Sequence, residues 1–156
     1  MLRFGHAFLV LGVLASCGGD DSGGDPVAQS ARQVCLDMTN QFRAGAGRPP
    51  VVQSAALEAY ADEGAAYDFH NPDPPHAHFR NTNGGGIAFA ENQCPQWPLS
   101  FAGGDLNMLV AQCMQAFFDE GPGGGHYDNM MGNYGTLGCG LYQESGMVTI
   151  IQDYGR

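Results

Sequence analysis

A chain of 156 residues with 16 acidic side chains, six arginines and no lysine carries a formal charge of −10. Affinity for a phosphate backbone comes mainly from clustered Lys and Arg, so this balance excludes nucleic acid as a partner, and it disfavours adhesion to anionic lipid head groups. The length suits one domain around one core.

The first residues combine Arg3 with an apolar stretch over 7–15 that is too short to span a bilayer, the form of an export signal. Leu14-Ala15-Ser16-Cys17 places small residues before a cysteine, as a lipoprotein signal peptidase requires. The expectation is a signal peptide over 1–16 and lipidation at Cys17; an ordinary signal peptide with a chance cysteine is the alternative, and both imply export. Residues 17–30, rich in Gly, Asp and Ser, read as a tether that cannot bury enough apolar surface to order itself, followed by a domain over 31–156. Loss of Arg3 with the signal leaves five arginines against 16 acids, a formal charge of −11. Attachment would then rest on the lipid alone, in the cell envelope facing periplasm or exterior, with the outer membrane as default.

With Cys17 assigned to the anchor, Cys35, Cys94, Cys113 and Cys139 remain, and an even number in an exported chain suggests two disulfides. Three pairings are possible. Cys94 with Cys113 and Cys35 with Cys139 are preferred, because Cys94 lies in a Pro-rich loop before the helix holding Cys113, and the other two would tie the first helix to the sheet. Paired cysteines cannot act as nucleophiles.

Over residues 30–43, Ala31, Val34, Cys35, Met38 and Phe42 recur at three and four, predicting a helix that ends at Gly45 and Gly47. Ser54 can cap a second helix with Leu57, Tyr60, Ala61, Gly64, Ala65 and Phe69 inward, stopped by the prolines at 72, 74 and 75. Residues 76–107 read as largely irregular, with a short strand near 87–90; such a long loop is functional or pinned by a disulfide. Asn107 is expected to cap a third helix over 108–119, and the glycines in 121–125 break it just before His126. The tail alternates through Leu137, Cys139 and Leu141 and again through Val148, Ile150 and Gln152, joined by Glu144-Ser145-Gly146: a β-hairpin. Helices first and strands last predict an α+β layered fold.

Five segments, in order, resemble the CAP superfamily, the SCP-like extracellular domains of cysteine-rich secretory proteins, antigen 5 and pathogenesis-related proteins. Asn40, Arg43 and Gly47 resemble its N-x-x-R-x-x-x-G opening, and Leu57, Ala61 and Ala65 its next helix. Gly125-His126-Tyr127-Asp128-Asn129-Met130-Met131 resembles G-H-Y-x-N-I-M, after a helix ending in Phe118 and Glu120, where Trp is usual at the Phe118 position. Leu137-Gly138-Cys139-Gly140 resembles V-G-C-G, and residues 150–155 resemble the closing V-Q-N-Y-G, with Asp153 at the Asn. The resemblance implies an α-β-α sandwich with a central antiparallel sheet, and a cleft holding two His and two Glu. Carried over, these are Glu120, His126, Glu91 (preceded by Ala90 rather than Gly) and a first histidine, for which His78 is chosen and His76 kept as the alternative.

Two imidazoles and two carboxylates can take a divalent ion: His78 (or His76) and His126 suit zinc, and Glu91 or Glu120 could serve as base to a metal-bound water, the hydrolase alternative. The plainer reading of Glu120 and His126 is a hydrogen bond at a helix end. No H-E-x-x-H helix is present. The family resemblance implies binding of a lipid or small molecule, a metal ion or a protein partner more than catalysis; a structural module with a vestigial cleft is a further alternative. Trp97 reads as packing beside a disulfide, and His70 as a helix-end residue.

Overall fold

The computed structural model describes residues 25–156. The export signal, Cys17 and most of the expected tether lie outside the described residues. Helix α1 (Pro26–Gly45) opens with the Asp25 side chain accepting from the Val27 amide and a proline in the first turn. It therefore begins inside the stretch expected to be tether, because composition hid a helix start. Its buried stripe is Ala31, Cys35, Thr39 and Arg43, one residue per turn. Strand β1 (Val52–Gln53) follows, then α2 (Ala55–His70), whose Ser54 cap accepts from the Leu57 amide.

The stretch expected to be irregular is largely ordered. Helix α3 (Ala77–Thr82) and a 3-10 turn lead into strand β2 (Ala90–Pro98), not a strand at 87–90. β2 pairs with the last strand over 90–94, slips at Pro95 and Gln96, and resumes at Trp97. Gln96 takes φ of 47° there, so the proline sits at a bulge in an edge strand, where its missing N–H costs nothing. Helix α4 (Leu106–Asp119) is capped by Asp105, whose carboxylate accepts from Met108. Asn107 lies within the helix and donates instead to Ser30, joining α4 to α1. Short helix α5 (Gly125–Met130) precedes the hairpin of β3 (Thr136–Glu144) and β4 (Met147–Gly155). Ser145 and Gly146 both have positive φ (52° and 78°), the two-residue turn whose twist suits a hairpin.

The sheet order is β1-β3-β4-β2, with β2, β4 and β3 antiparallel and the two-residue β1 parallel to β3. Alternation along these strands makes two unlike faces, giving a three-layer α-β-α arrangement. One face sends Leu137, Cys139, Val148, Ile150 and Tyr154 into a core with Leu109, Val110, Met114 and Phe117 under α1 and α4. Both disulfides, Cys35–Cys139 and Cys94–Cys113, lie on this side, in the pairing the sequence favoured. On the other face β3 offers Gly138 and Gly140 to α2. A Cβ at Gly140 would lie 2.1 Å from the Ala61 carbonyl carbon, and one at Gly138 2.2 Å from that of Leu57, so helix and sheet meet backbone to backbone. Among the described residues no helix is long and apolar enough to cross a membrane.

The opening motif has a structural task. Asn40 exchanges two hydrogen bonds with the Val51 backbone, and fully buried Arg43 donates to the carbonyls of Pro49, Met130, Gly132 and Tyr134. A single planar guanidinium thereby satisfies the end of α5 and the loops that carry Pro49 and Tyr134.

Candidate functional site

The site forms at the outer edge of the sheet, where α3 and α5 flank β2. Glu91 and Gln93 leave β2 on the α2 face, with Asn92 between them on the other. Asp68, buried near the end of α2, accepts from the His78 amide at 2.9 Å and from the Gln93 side chain at 3.1 Å. Gln93 in turn accepts from the backbone N–H of His76 at 3.0 Å. His76 holds a left-handed conformation (φ 63°, ψ 28°) at the start of α3. So fixed, its Nδ1 meets Glu91 Oε1 at 2.7 Å.

Glu120 follows α4, where its oxygens receive the His126 backbone N–H (3.0 Å) and meet His126 Nδ1 (2.5 Å). The His126 ring packs on Phe117, with centroids 4.7 Å apart. Asn129 donates to the Glu91 carbonyl and to the Asn92 side chain, while Asn92 donates to the His126 carbonyl, so α5 is laced to β2. The two imidazoles stand 6.4 Å apart between centroids, each backed by its own glutamate.

Of the two candidate histidines, His76 reaches Glu91 and His78 does not, which corrects the choice of His78. His76 precedes α3 in a left-handed conformation that turns its side chain to β2, whereas His78 lies within the helix. The His78 ring instead lies 4.8 Å from Tyr60 and 5.8 Å from Tyr67, its Nδ1 buried without a hydrogen-bond partner. His70 is exposed at the end of α2, hydrogen-bonded to Tyr142, and Trp97 packs against the main core that contains Cys94 and Cys113.

The two carboxylates differ electrostatically. Burial pushes the Glu91 carboxyl above its usual range against the opposing pull of His76, whereas the His126 hydrogen bond holds Glu120 below it. Opposite Glu91 in the β2–β4 ladder sits Asp153, fully buried, with no hydrogen-bond partner for either oxygen. Burial, with Glu91 and Asp68 nearby, pushes it up to about 9, so it is held neutral at physiological pH. Asp68, Gln93 and Asp153 escaped the sequence reading as site residues. The available signal was polar side chains at positions whose neighbours fill a core.

A cavity of 310 Å³ opens beside His76 and Glu91, with Arg80, Asn129 and Tyr134 on its wall and Phe79 and Phe89 at its side. Each cleft histidine spends Nδ1 on a glutamate, which leaves Nε2 as the ligating nitrogen. Among the described residues no three of His, Cys, Asp and Glu come together as a metal cluster. Two imidazoles do not make a closed structural zinc site, which takes four protein ligands.

A three-layer sandwich with a His/Glu cleft at its sheet edge is the class of protein defined here. The model of the cysteine-rich secretory protein family, CAP, matches residues 36–154, and the chain belongs to that family. Among solved structures it is similar to NaASP2 with Zn2+, at 23% identity and TM-score 0.61, covering 86% of this chain and 82% of that one. It is also similar to Na-ASP-1, at 18% identity and TM-score 0.60, covering 96% of this chain and 43% of that one. An extracellular SCP-domain protein from Bacillus anthracis matches at 16% identity and TM-score 0.57, covering 82% of this chain and 41% of that one. The chain therefore spans less than half of the last two. At these identities the likeness shows the fold. No curated protein matches the chain.

Proposed function

We propose that this protein is an exported, envelope-tethered CAP domain that binds a small or apolar ligand, a divalent ion or a protein partner at the cleft of His76, Glu91, Glu120 and His126. The observation that carries this reading is the pair of His–Glu units facing each other across β2, with imidazoles 6.4 Å apart beside an open cavity. Each glutamate orients a ring and raises its basicity, the role carboxylates play behind metal-ligating histidines. His76 and His126 would hold the ion, which when bound supplies a Lewis acid or a counter-charge for an anionic ligand group. Zinc is the first ion to test, because imidazole suits it and because NaASP2 was crystallised with Zn2+. Export is supported by the two disulfides, which persist in oxidising compartments, together with the lipobox-like Leu14-Ala15-Ser16-Cys17.

The test is calorimetric zinc titration of the disulfide-intact protein, beside the His76→Ala plus His126→Ala double variant. The expected result is saturable binding near one equivalent that the double variant loses, while His78→Ala retains it. Absence of binding by the folded protein would remove the metal from the reading and direct the search to organic ligands and protein partners.

A further inference from the structure

The distribution of arginine around the cleft mouth runs against the charge of the molecule. Two of the 16 acids, Asp20 and Asp21, precede residue 25, so 14 acids face five arginines over the described residues. Arg32 is paired with Asp62 at 2.7 Å, and Arg43 is buried among carbonyls. Arg80 and Arg156 form no ion pair among the described residues and flank one side chain, Phe89. Arg80 shares the 310 Å³ cavity with Phe89, and the Arg156 guanidinium lies over the Phe89 ring, 4.6 Å from its centroid. Phe89 is 50% exposed although its backbone N–H is bonded to the Tyr154 carbonyl at 2.8 Å. The sheet therefore holds this aromatic ring out at the cleft mouth.

Among the polar groups beside it, Arg80 brings a charged donor. Arg80 is anchored by one guanidinium nitrogen to the Pro75 carbonyl, next to the His76 turn, with its other N–H groups unspent. One Glu91 oxygen is bonded to His76 and the other is buried, and neither pairs with Arg80, so the guanidinium keeps its charge for a ligand. A concavity with a guanidinium and aromatic rings on its wall, set in an acidic surface, selects an anionic group attached to an apolar body. One planar guanidinium matches one carboxylate, and the cavity volume lies at the small end of those that hold organic ligands.

We propose that the cleft mouth binds an organic monocarboxylate carried on an aromatic or compact apolar body, with Arg80 pairing with the carboxylate and Phe79 and Phe89 flanking the body. The proposal rests on the cleft-binding reading but needs no metal. A free aromatic acid and the C-terminal carboxylate of a peptide share this chemistry.

The experiment is an amide-NMR titration of metal-stripped, disulfide-intact protein with 3-phenylpropionate and with acetyl-Gly-Phe, each beside its neutral counterpart, 3-phenylpropanol and the peptide amide. Both acids are expected to shift the Arg80 and Phe89 amides and to bind at least tenfold more tightly than the neutral partners. The tighter of the two identifies the source. Arg80→Gln should erase the preference for acid, and Phe89→Ala should weaken acid and alcohol alike, with spectral dispersion retained in both. Equal binding of acid and alcohol, shifts remote from the cleft, or an acid preference that survives Arg80→Gln overturns the proposal. Acid binding only after zinc is added, and indifferent to Arg80→Gln, would overturn it while leaving the metal reading standing. Arg80-dependent acid binding by a protein that takes no zinc would do the reverse.

Discussion

The two faces of the sheet are built on opposite principles. Towards α1 and α4 the strands present Leu137, Val148, Ile150 and Tyr154 against Leu109, Met114 and Phe117, and both disulfides cross that layer. Towards α2 they present Gly138 and Gly140, and towards the β2 edge Glu91, Gln93 and Asp153, with Asp68 facing them from the helix. The first face gains its stability from apolar burial and cross-links. The second gives up side-chain volume so that a helix can sit directly on the strands, and it uses the adjoining space for buried polar groups that position His76. The cleft stands where the two meet, with Glu91 from one face and Asn92 from the other gripping α3 and α5.

If the cross-linked face carries most of the stability, removing the Cys35–Cys139 bond by a double Ala variant should produce the largest loss. Chain-entropy arguments give about 4–5 kcal/mol for its 104-residue separation. The Cys94–Cys113 bond, spanning 19 residues, should yield about 3 kcal/mol in the same denaturant series. A larger loss at Cys94–Cys113 would break the ranking.

Gly140→Ala probes the opposite face. The added methyl meets backbone rather than a mobile side chain, so α2 must lift, at about 3 kcal/mol. Thermal melts should show this, and the loss should exceed that of Gly45→Ala, where the added carbon meets nothing within 4 Å.

Asp153→Asn should act in the stabilising direction at neutral pH, since unfolding the wild type above about pH 4 releases the proton of this raised acid and unfolding the amide releases none. The pH dependence follows from the raised acid. The folded state holds its proton up to about 9 and the unfolded state loses it near 3.8, so this stabilising contribution is complete below about pH 4 and declines as pH rises towards 9. Glu91, also raised, adds a decline of the same sign. Chemical denaturation from pH 5 to 9 should show wild-type stability falling, with a flatter profile for Asp153→Asn; parallel profiles would sink the assignment.

The smallest expected effect tests the coupling of the buried polar groups to the cleft. Gln93→Leu removes the acceptor for the His76 N–H and the donor to Asp68, and should weaken zinc binding about tenfold in calorimetric titration, as loss of outer-shell partners does.

Residues with chemical individuality made much of this architecture legible. The periodic apolar positions of α1, α2 and α4, the Ser145-Gly146 turn and the cysteine pairing all express local spacing or covalent logic. The family motifs were readable too, though their tasks were not. Arg43 looked like a motif letter and proved to be a buried donor to four carbonyls. Strand β2 was hidden by Pro95, which breaks a strand pattern but is tolerated at a bulge on an edge. The start of α1 was hidden because Asp25 and Pro26 sit in a stretch whose composition resembles a linker.

From the sequence alone came the α+β layering, the two disulfides and a cleft of histidines and glutamates, because periodicity, cysteine number and motif order survive without coordinates. The tertiary structure decided which histidine meets Glu91. His76 and His78 are chemically equivalent in the sequence, and only the left-handed turn clamped by Gln93 and Asp68 aims one of them at β2. It likewise decided that Arg80 and Arg156 converge on Phe89, because contacts between residues 76 positions apart depend on how the chain closes on itself, which no local pattern encodes.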